Sequence, residues 1–241
     1  MNEYSRYQQW KSWDKAKFGL YSKDHSRYYF KELTQTGANL CSGLRVLEIG
    51  FGNGSFSGWA KDQNFTYLGL ETIEELVSDA QSSGFSAALS SGDLQAFLSA
   101  ESQDLIVAFD VFEHFTLREL EVFLEKAHGW LRPQGLLVFR VPSGDSPFAR
   151  AIQHGDLTHQ ITLGSSSIKQ LALRANYQVE QVRAPVIPLR GLTACHTIRR
   201  LFVICGQAII SRLIRVLFHH NAQTVIAANM LVVFRKPSDD H

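Results

Sequence analysis

Short apolar runs alternate with longer mixed segments along most of the chain. The runs predict buried strands at 45–49, 67–70, 87–90, 104–109, 135–141, 178–184 and 225–234. The segments between them predict helices at 55–62, 73–83, 116–131 and 165–176, with a short helix from residue 94. Strands that alternate with helices are typical of a parallel sheet flanked by helices. The pattern therefore predicts an α/β fold.

The same elements divide the chain into four parts of one predicted domain. Residues 1–42 are rich in aromatic and basic side chains and predict one or two helices that form an N-terminal cap or lid. Residues 43–184 form the core, residues 185–224 an apolar, basic helical insert, and residues 225–241 the last strand and tail. A length of 241 residues suits one sizeable α/β domain rather than two.

Two local signals bound the helix after the fourth predicted strand. Thr116, with Glu119 three residues later, forms a capping-box pattern at its start. The residues Arg-Pro-Gln-Gly at 132–135 favour a turn, so we expect the fifth strand to begin at residue 135. The position of the last strand at the end of the chain predicts an edge strand or an inserted strand.

A glycine cluster joins the first predicted strand to the helix that follows it. Gly50, Gly52 and Gly54 belong to the pattern E-x-G-x-G-x-G that begins at Glu48. Glycine permits backbone angles closed to other residues and lets the main chain approach a ligand closely. A tight strand-to-helix turn needs glycines for the same reason, so the loop alone does not identify a ligand.

Two details favour S-adenosylmethionine over a dinucleotide at this loop. The dinucleotide fingerprint G-x-G-x-x-G has its third glycine where Ser55 stands here. Glu48 would repel a pyrophosphate but would pair with an ammonium group. S-adenosylmethionine has no phosphate and carries an ammonium and a sulfonium charge. A nicotinamide oxidoreductase is further opposed by the lack of a second domain for its substrate.

Acidic residues follow the next two predicted strands. Glu71 ends the second strand, where a carboxylate accepts hydrogen bonds from ribose hydroxyls in doubly wound folds. The alternative for Glu71 is a helix N-terminal carboxylate favoured by the dipole. Asp93 follows the third strand and would reach the adenine amino group, although alone it is an N-cap candidate. Because such sheets bind ligands at the carboxyl ends of their strands, we expect one shared site.

From residue 45 through the last strand, the chain resembles the class I S-adenosylmethionine-dependent methyltransferases. The glycine loop, Glu71, Gly92-Asp93 and the sequence FDVFEH at 109–114 match that pattern in order. The resemblance implies a doubly wound, mostly parallel, Rossmann-like sheet of seven strands with the last strand antiparallel. It also implies that the cofactor is surrounded by Phe51, Gly52, Thr72, Leu94 and Asp110.

Methyl transfer to a neutral hydroxyl needs a base that removes its proton, and two segments supply candidates. His114 follows the fourth strand, while His159 and Asp156 lie in the loop after the fifth strand, on the same edge of the sheet. Imidazole titrates near neutrality and is a suitable base, and Asp156 would orient one. His114 also has a structural alternative at the entry of the next helix, which makes His159 the stronger candidate.

A metal held at this edge of the sheet is an alternative to a histidine base. The candidate ligands are Asp110, Glu113, Asp156 and His159. Their spacing is not diagnostic of a metal site, and we predict none.

A narrower resemblance concerns the acceptor. The segments GDLTHQ at 155–160 and SSIKQL at 166–171 are similar to a bacterial methyltransferase subfamily that accompanies glycosyltransferases in surface-polysaccharide assembly. This resemblance implies a sugar or glycolipid hydroxyl as acceptor. A small phenolic or quinone precursor remains an alternative acceptor, and a catalytically silent S-adenosylmethionine-binding module remains an alternative to an enzyme.

Composition and charge exclude several classes of protein. With 24 basic and 23 acidic residues, the net charge is +1, so nothing in the charge balance recruits a polyanion such as nucleic acid. DNA methylation is also disfavoured, because neither Asn-Pro-Pro-Tyr nor Asp-Pro-Pro-Tyr follows the fourth strand and no Pro-Cys nucleophile occurs.

Three cysteines without a C-x-x-C pair indicate free thiols in a reducing compartment. The N-terminal residues have no signal-peptide pattern and the apolar stretch 201–210 is too short to span a bilayer, so we expect a cytoplasmic protein.

The insert contains a predicted helix at 196–221 that is apolar over most of its surface. A narrow polar stripe is formed by Arg200, Gln207, Ser211 and Arg215, with Arg199 and Arg212 beside it. One interpretation is a helix that packs in the core or in a homodimer interface, with its polar stripe exposed to solvent. The other is a helix at the inner face of a membrane, where anionic lipid adds attraction and a lipid-linked acceptor is at hand.

Aromatic residues repeat at near-helical spacing in the N-terminal segment. They are Tyr4, Tyr7, Trp10 and Trp13, with Phe18 and Tyr21 beyond. Such a stripe is typical of a packing surface. In the enzymes that the chain resembles, this region forms a lid over cofactor and acceptor, and a lid must also pack.

Overall fold

The computed structural model describes residues 10–11, 13–189, 194–218 and 224–238. The strands are β1 Arg45–Ile49, β2 Thr66–Glu71, β3 Ala87–Leu89, β4 Gln103–Phe109, β5 Leu131–Pro142, β6 Gln178–Arg183 and β7 Asn229–Arg235. The α-helices are α1 Lys23–Gln35, α2 Ser55–Asp62, α3 Glu74–Ser82, α4 Leu117–Trp130, α5 Arg150–Gln153, α6 Ser165–Arg174 and α7 Ala194–Phe218. Short 3-10 helices cover Lys15–Lys17, Leu94–Ala96, Phe112–His114 and Pro147–Ala149.

The strands form one sheet in the order β3-β2-β1-β4-β5-β7-β6. Strands β1 to β5 pair in parallel, and β7 pairs antiparallel with both β5 and β6. The predicted seven-stranded, Rossmann-like sheet with an antiparallel last strand is confirmed. Strand β7 is inserted between β5 and β6, so of the two predicted positions it takes the inserted one.

The central strands are apolar without alternation because both of their faces are covered. In β1, Val46 and Leu47 are both fully buried but belong to different clusters. Val46 packs with Phe56 and Trp59 of α2 on one face, where Leu33 of α1 also lies. Leu47 lies in the larger cluster on the opposite face, beneath α4 and α6. This two-sided burial produces the apolar run that made β1 predictable to the residue.

The start of β5 differs from the prediction. Strand β5 begins at Leu131, directly after α4, and the predicted turn at 132–135 lies inside it. Leu131 is fully buried and pairs with Gln103, and the register with β4 then shifts before Leu105. Gln134 has a φ of 65°, in the left-handed region. The turn-forming residues therefore produce an irregularity within the strand and not a loop before it. The capping box of Thr116 and Glu119 at the start of α4 is confirmed.

Strand β7 begins four residues later than predicted because the preceding backbone bonds elsewhere. The N–H of Val225 donates to Asp145 Oδ2 at 3.0 Å. The hydroxyls of Ser143 and Ser146 donate to the carbonyls of Val225 and Ile226, both at 2.6 Å. These bonds attach the segment to the loop after β5, so the sheet pairing with β5 starts only at Asn229.

Helix α7 corresponds to the insert helix predicted at 196–221, although residues 219–221 lie outside the described part of the chain. The helix continues through Ser211 and Arg212, and none of its residues is buried. By length and composition alone it is long and apolar enough to cross a membrane. The apolar stretch at 201–210 is therefore part of a longer helix, because Ser211 and Arg212 do not end it. Tyr4 and Tyr7 of the aromatic repeat also lie outside the described residues.

Candidate active site

The candidate site lies at the carboxyl ends of the strands, where the strand order reverses between β1 and β4. The glycine loop follows β1, Glu71 ends β2, Asp93 follows β3 and Asp110 follows β4. The loop after β5 brings Asp156 and His159 to the same edge, where His159 lies beside His114. The predicted site residues thus come together as two neighbouring groups, one around the glycine loop and one around the histidines.

Each glycine of the loop occupies a position that excludes a side chain. Gly50, Gly52 and Gly54 have φ values of 66°, 54° and 73°, all in the left-handed region. A Cβ atom at Gly50 would lie 2.7 Å from Val111, and one at Gly54 would lie 2.5 Å from the ring of Phe18. Gly54 is also the N-cap of α2. The loop is therefore a narrow backbone cradle at the start of that helix.

Glu71 ties the end of β2 to this cradle. Its side chain is buried, and Oε2 accepts a hydrogen bond from the backbone N–H of Gly52 at 3.2 Å. Oε1 accepts bonds from the backbone N–H and the hydroxyl of Thr72, at 2.7 and 3.1 Å. The carboxylate therefore faces the loop. These contacts fit both interpretations of Glu71. Its carboxylate accepts a bond from the backbone at the approach to α3, and it also accepts one from the glycine loop.

Glu48 lies deeper, below the first turn of α2. Its Oε2 accepts hydrogen bonds from Tyr67 Oη at 2.6 Å and Ser57 Oγ at 2.8 Å. Burial raises the pKa of Glu48 to about 7, an effect that the two hydrogen bonds partly oppose and the nearby charge of Glu71 increases. The predicted pairing of Glu48 with an ammonium group remains a prediction. Its hydroxyl partners Tyr67 and Ser57 were not predicted from sequence.

Residues of the N-terminal segment cover the glycine loop. Trp13 approaches Gly52 so closely that a Cβ atom there would lie 3.0 Å from the indole. The ring of Phe18 stands edge-on to that of Phe51, with centroids 5.7 Å apart. The N–H of Gly19 donates to the carbonyl of Asn53 at 3.1 Å. Trp13 and Phe18 thus pack on the glycine loop, and a lid over cofactor and acceptor remains a prediction.

Asp93 and Leu94 follow β3 at the border of this group. Asp93 is exposed and caps the short helix Leu94–Ala96, where its side chain accepts a bond from the N–H of Gln95 at 3.1 Å. Leu94 is half-buried and packs against the larger core cluster. The N-cap interpretation of Asp93 describes its contacts in this structure, and its role toward adenine remains a prediction.

Asp110 forms an ion pair that the sequence did not indicate. It has a φ of 58° and binds Arg140 of β5 through two hydrogen bonds, one of them at 2.8 Å from Arg140 Nε. Although burial alone lowers the pKa of Arg140, the bonds from Asp110 raise it overall. The guanidinium also lies over the rings of Tyr28 and Phe109, at 5.4 and 5.6 Å from their centroids. The sequence signal that could have revealed this ion pair is Arg140 itself, a charged residue inside the apolar run of β5.

His114 belongs to a hydrogen-bonded chain of three residues. Thr158 Oγ1 donates to Asp156 Oδ1 at 2.6 Å, so the same hydroxyl accepts from His114 Nδ1 at 2.8 Å. This arrangement leaves Nε2 as the basic nitrogen of the neutral imidazole. Burial lowers the pKa of His114, and the neighbouring His159 lowers it further, while Asp156 opposes both effects. Thr158 was not predicted, and no pattern in the sequence marks it.

His159 lies edge-on to His114, with ring centroids 4.7 Å apart. The sequence predicted a polar loop residue without a packing role, but its side chain is only 6% exposed. The loop folds back beneath the short helix Phe112–His114, where the backbone N–H of Gln160 donates to the carbonyl of Glu113 at 2.7 Å. His159 Nδ1 donates to the carbonyl of Gln153 at 3.0 Å, since a carbonyl only accepts. His159 is thus held in a fixed orientation.

Two carboxyl groups face His159 Nε2. Glu113 Oε1 lies 3.9 Å away and Asp156 Oδ2 lies 4.0 Å away. Burial raises the pKa of Glu113 to about 8, and the charge of Asp110 adds to this effect. Burial alone would also raise the pKa of Asp156, but the bonds from Thr158 hold it below its usual value. The two carboxyls are therefore in different protonation states at neutral pH.

Lys11 connects the N-terminal segment to the histidine group. Its Nζ lies 3.5 Å from Asp156 Oδ2, and the same ammonium group lies over the ring of Trp10 at 4.3 Å from the centroid. Sequence reasoning missed Lys11, because its partner lies 145 positions away along the chain. Both groups of the site are therefore in contact with the described residues of this segment, Lys11 at the histidine group and Trp13, Phe18 and Gly19 at the glycine loop.

One set of side chains in the described part of the chain has ligand atoms close enough for a metal ion. Glu113, His114 and His159 each offer one such atom within 4.8 Å of the others. Two imidazoles and one carboxylate suit a transition metal more than Mg²⁺. The set shares Glu113 and His159 with the four residues considered in the sequence and has His114 in place of Asp110 and Asp156.

Residues 21–182 match the family model described as a methyltransferase domain. The match covers more than half of the chain and includes the glycine loop, Glu71, Asp110 and both histidines of the site. The chain belongs to this methyltransferase family. It is a methyltransferase enzyme, and its cofactor is S-adenosylmethionine. No curated protein matches the chain.

Solved structures share the fold of this methyltransferase. A SAM-dependent methyltransferase from Archaeoglobus fulgidus is 15% identical, with a TM-score of 0.64 over 98% of this chain and 100% of the other. An S-adenosylmethionine-dependent methyltransferase from Mesorhizobium loti is 17% identical, with a TM-score of 0.56 over 85% of this chain and 97% of the other. The cyclopropane synthase MmaA2 from Mycobacterium tuberculosis is 16% identical, with a TM-score of 0.54 over 86% and 84%. Such distant likenesses concern the fold and leave the acceptor open.

Proposed function

We propose that this methyltransferase methylates a hydroxyl group of a saccharide or glycolipid in surface-polysaccharide biosynthesis. The observation that carries the proposal is the chain His114–Thr158–Asp156, which lies in and against the segment 155–160 that resembles the polysaccharide-associated subfamily. A neutral hydroxyl requires removal of a proton, and this chain supplies an oriented base for that step. An acceptor that is already ionised would not need one.

The residues around the glycine loop fit S-adenosylmethionine on two observations. The backbone of the loop has no room for a side chain at Gly50, Gly52 or Gly54, so its main chain stays accessible only as glycine. The carboxylate of Glu71 lies at the edge of the loop, and its described contacts include no arginine or lysine that would bind a phosphate. In our proposal, Glu71 holds the ribose hydroxyls, Glu48 the ammonium group and Asp93 the adenine amino group. The remaining contacts come from Phe51, Thr72, Leu94 and Asp110. When bound, the cofactor supplies an electrophilic sulfonium methyl group.

The acceptor proton passes to a histidine as the oxygen–methyl bond forms and the sulfur–methyl bond breaks. His114 is the better placed of the two candidates, because its Nδ1 is linked through Thr158 to the carboxylate of Asp156, whereas His159 Nδ1 donates to a backbone carbonyl. The positive charge that develops on His114 is stabilised through Thr158 by the carboxylate of Asp156. His159 is then a positioning residue, and it becomes the base only if the acceptor enters from the side of Glu113.

Two measurements test this function. Calorimetric titration with S-adenosylmethionine, S-adenosylhomocysteine and NADH, repeated on Glu71→Ala, tests the cofactor site, and we expect micromolar binding of the adenosyl ligands alone, lost in the variant. Transfer of a labelled methyl group is then followed with free sugars, lipid-linked sugars, and phenolic and quinone precursors. Methylation of a phenol or quinone precursor alone would overturn the proposed acceptor. Binding without turnover on any acceptor class would favour a silent module.

A further inference from the structure

Helix α7 is attached to the domain by its polar stripe. The partly covered residues of this helix recur at helical spacing and are Thr197, Arg200, Ile204, Gly206, Ser211, Ile214 and Arg215. Arg200 donates to the carbonyl of Pro188 at 2.6 Å and to Asp24 Oδ2 of α1 at 2.9 Å. Three of the four residues of the predicted stripe therefore lie on the inner side of the helix, and only Gln207 is exposed.

The outer side of α7 is correspondingly apolar. Phe202 and Phe218 are 79% and 75% exposed. The other exposed large apolar residues are Ile198, Leu201, Val203, Ile209, Ile210, Leu213, Val216 and Leu217. A water-facing helix normally has the opposite arrangement, with its apolar side toward the core. A contiguous exposed patch of this kind marks a surface that is covered by a partner or a membrane.

The charges of α7 favour anionic lipid as that partner. The helix has no acidic residue, and Arg199 and Arg212 are exposed beside the apolar side. Anionic headgroups attract such residues and acyl chains accept the apolar ones. In a symmetric dimer formed through the apolar side of α7, the arginines of the two copies would come close together, and α7 offers no acidic residue to pair with them. The charge pattern therefore disfavours a second copy.

The spacing of the arginines indicates that the helix lies along the bilayer surface. Arg199 and Arg212 are 13 residues apart, which corresponds to about 20 Å along a helix. The hydrocarbon core of a bilayer is about 30 Å thick, so a spanning orientation would place at least one of them in hydrocarbon. The ion pair of Arg200 with Asp24 also holds the helix against the domain. A helix in the interface satisfies both observations.

The apolar surface continues toward the histidine group. Ile214 and Phe218 of α7 line a cavity of about 600 Å³ together with Pro147 and Arg150. The segment 148–157, which contains Asp156, exposes Phe148, Ile152 and Leu157, the last of them 99% exposed. The segment that carries the proposed acceptor site therefore lies beside the C-terminal end of α7, where Phe218 is exposed.

We propose that α7 and residues 148–157 form one docking surface for an anionic lipid bilayer, on which α7 lies in the interface. This inference deepens the proposed function, since it places the acceptor site beside the surface from which a glycolipid would enter. The docking surface depends on the proposed function only where it concerns a glycolipid acceptor. Vesicle binding is measured without an acceptor and methyl transfer is measured with one, so failure of the docking surface and failure of the proposed function can be distinguished.

The first test is flotation of the purified full chain with vesicles of phosphatidylcholine and phosphatidylglycerol, and with phosphatidylcholine alone. We expect binding to the anionic vesicles, reduced roughly 30-fold or more in a variant with Arg199→Glu and Arg212→Glu. Phe202→Ser with Ile209→Ser should also lose binding. The control is Arg118→Glu, which makes the charge change of one of these two substitutions at an exposed position of α4 and should bind like the wild type. Circular dichroism and S-adenosylmethionine titration confirm that each variant is folded.

The native cysteines supply a second test. Cys205 lies in α7 and Cys41 lies far from it in sequence, and both are exposed. A fluorophore sensitive to polarity is attached to Cys205 in Cys41→Ser, Cys195→Ser protein, and to Cys41 in the matched Cys195→Ser, Cys205→Ser protein. We expect a blue shift on anionic vesicles for Cys205 alone.

Three outcomes would overturn the docking surface. The first is absence of binding to both vesicle types. The second is a dimer in ultracentrifugation that Phe202→Ser with Ile209→Ser dissociates, since a second copy would then cover α7. The third is resistance of the membrane-bound protein to alkaline carbonate extraction, which would indicate a spanning helix.

Discussion

The carboxylate of Glu71 accepts a hydrogen bond from the backbone N–H of Gly52 at 3.2 Å. This contact joins the end of β2 to a loop that begins at the end of β1, so two neighbouring strand ends determine one cradle. The same side chain also holds Thr72, at the approach to α3. Glu71 is therefore a structural link as well as the proposed partner of the ribose.

Replacement of Glu71 by Gln should weaken binding of S-adenosylmethionine by about 100-fold. Hydrogen bonds to a charged group contribute about 1.5–3 kcal/mol each, and the neutral amide also presents a donor where only acceptors are wanted. Titration calorimetry measures the change. Glu74→Gln removes an exposed carboxylate three residues away and is the matched control. Wild-type affinity in Glu71→Gln would contradict the assignment.

Gly58 should not tolerate alanine, although alanine normally stabilises a helix. A Cβ atom at this position of α2 would lie 1.8 Å from the carbonyl oxygen of Gly19, so the segment over the glycine loop must move. We expect weaker cofactor binding and faster proteolysis of the N-terminal segment. Gly129→Ala in α4 is the control, since its Cβ would meet no atom within 4 Å. That variant should be stabilised by about 0.5–1 kcal/mol. Equal effects of the two substitutions on cofactor binding would contradict the role of residues 13–19.

The elements that the sequence predicted best are those whose local pattern and tertiary environment agree. β1 is apolar because both its faces are buried, and Thr116 is the N-cap of α4 because its capping box is complete within four residues. The start of β7 was not predictable in this way. It depends on Asp145, which takes up the N–H of Val225 across 80 positions of the chain.

The candidate site shows the same division. The sequence predicts which residues lie at the strand ends of the site, because a glycine loop and acidic residues follow successive strands. Partners distant in the chain were not: Arg140 binds Asp110, and Thr158 connects His114 to Asp156. For α7 the polar stripe is visible in the sequence, but periodicity does not say whether a stripe faces the domain or the solvent.

Replacement of His114 by Gln should lower kcat by about 10²–10⁴-fold while leaving cofactor affinity unchanged, because only the base is lost. Steady-state kinetics on the acceptor found in the screen, together with calorimetry, separates these effects. His159→Gln should have the smaller effect of a positioning residue. His154→Gln changes an exposed histidine of the same loop and should be neutral. Full turnover in both His114→Gln and His159→Gln would remove the histidine base from the mechanism.

The pH profile of kcat/KM supplies an independent check on His114. Its pKa lies below the ordinary 6.5 because of burial and the neighbouring His159, so the neutral base persists at lower pH. We therefore expect kcat/KM to fall only below pH 6.5 on the acid side. This acid limb should disappear in His114→Gln and persist in the His154→Gln control. An acid limb unchanged in His114→Gln would assign the titration to another group.

Stability without cofactor should decrease as pH rises from about 5 to 9, owing to Glu48 and Glu113. Their pKa values are about 7 and about 8 in the folded protein against 4.5 ordinarily, so the folded state binds more protons than the unfolded state within this range. Their contribution is fully present below pH 4.5 and is lost as pH rises through 7 and 8. For Glu48 the change is on the order of 3 kcal/mol.

Urea unfolding at several pH values measures this dependence. Glu48→Gln and Glu113→Gln keep the shape of the side chain without the titration, so each should flatten the decline. Glu125→Gln, at an exposed position of α4, should leave it unchanged. A free energy of unfolding that rises over the same range, or that declines equally in all three variants, would mean that neither buried carboxyl keeps its proton in the folded enzyme.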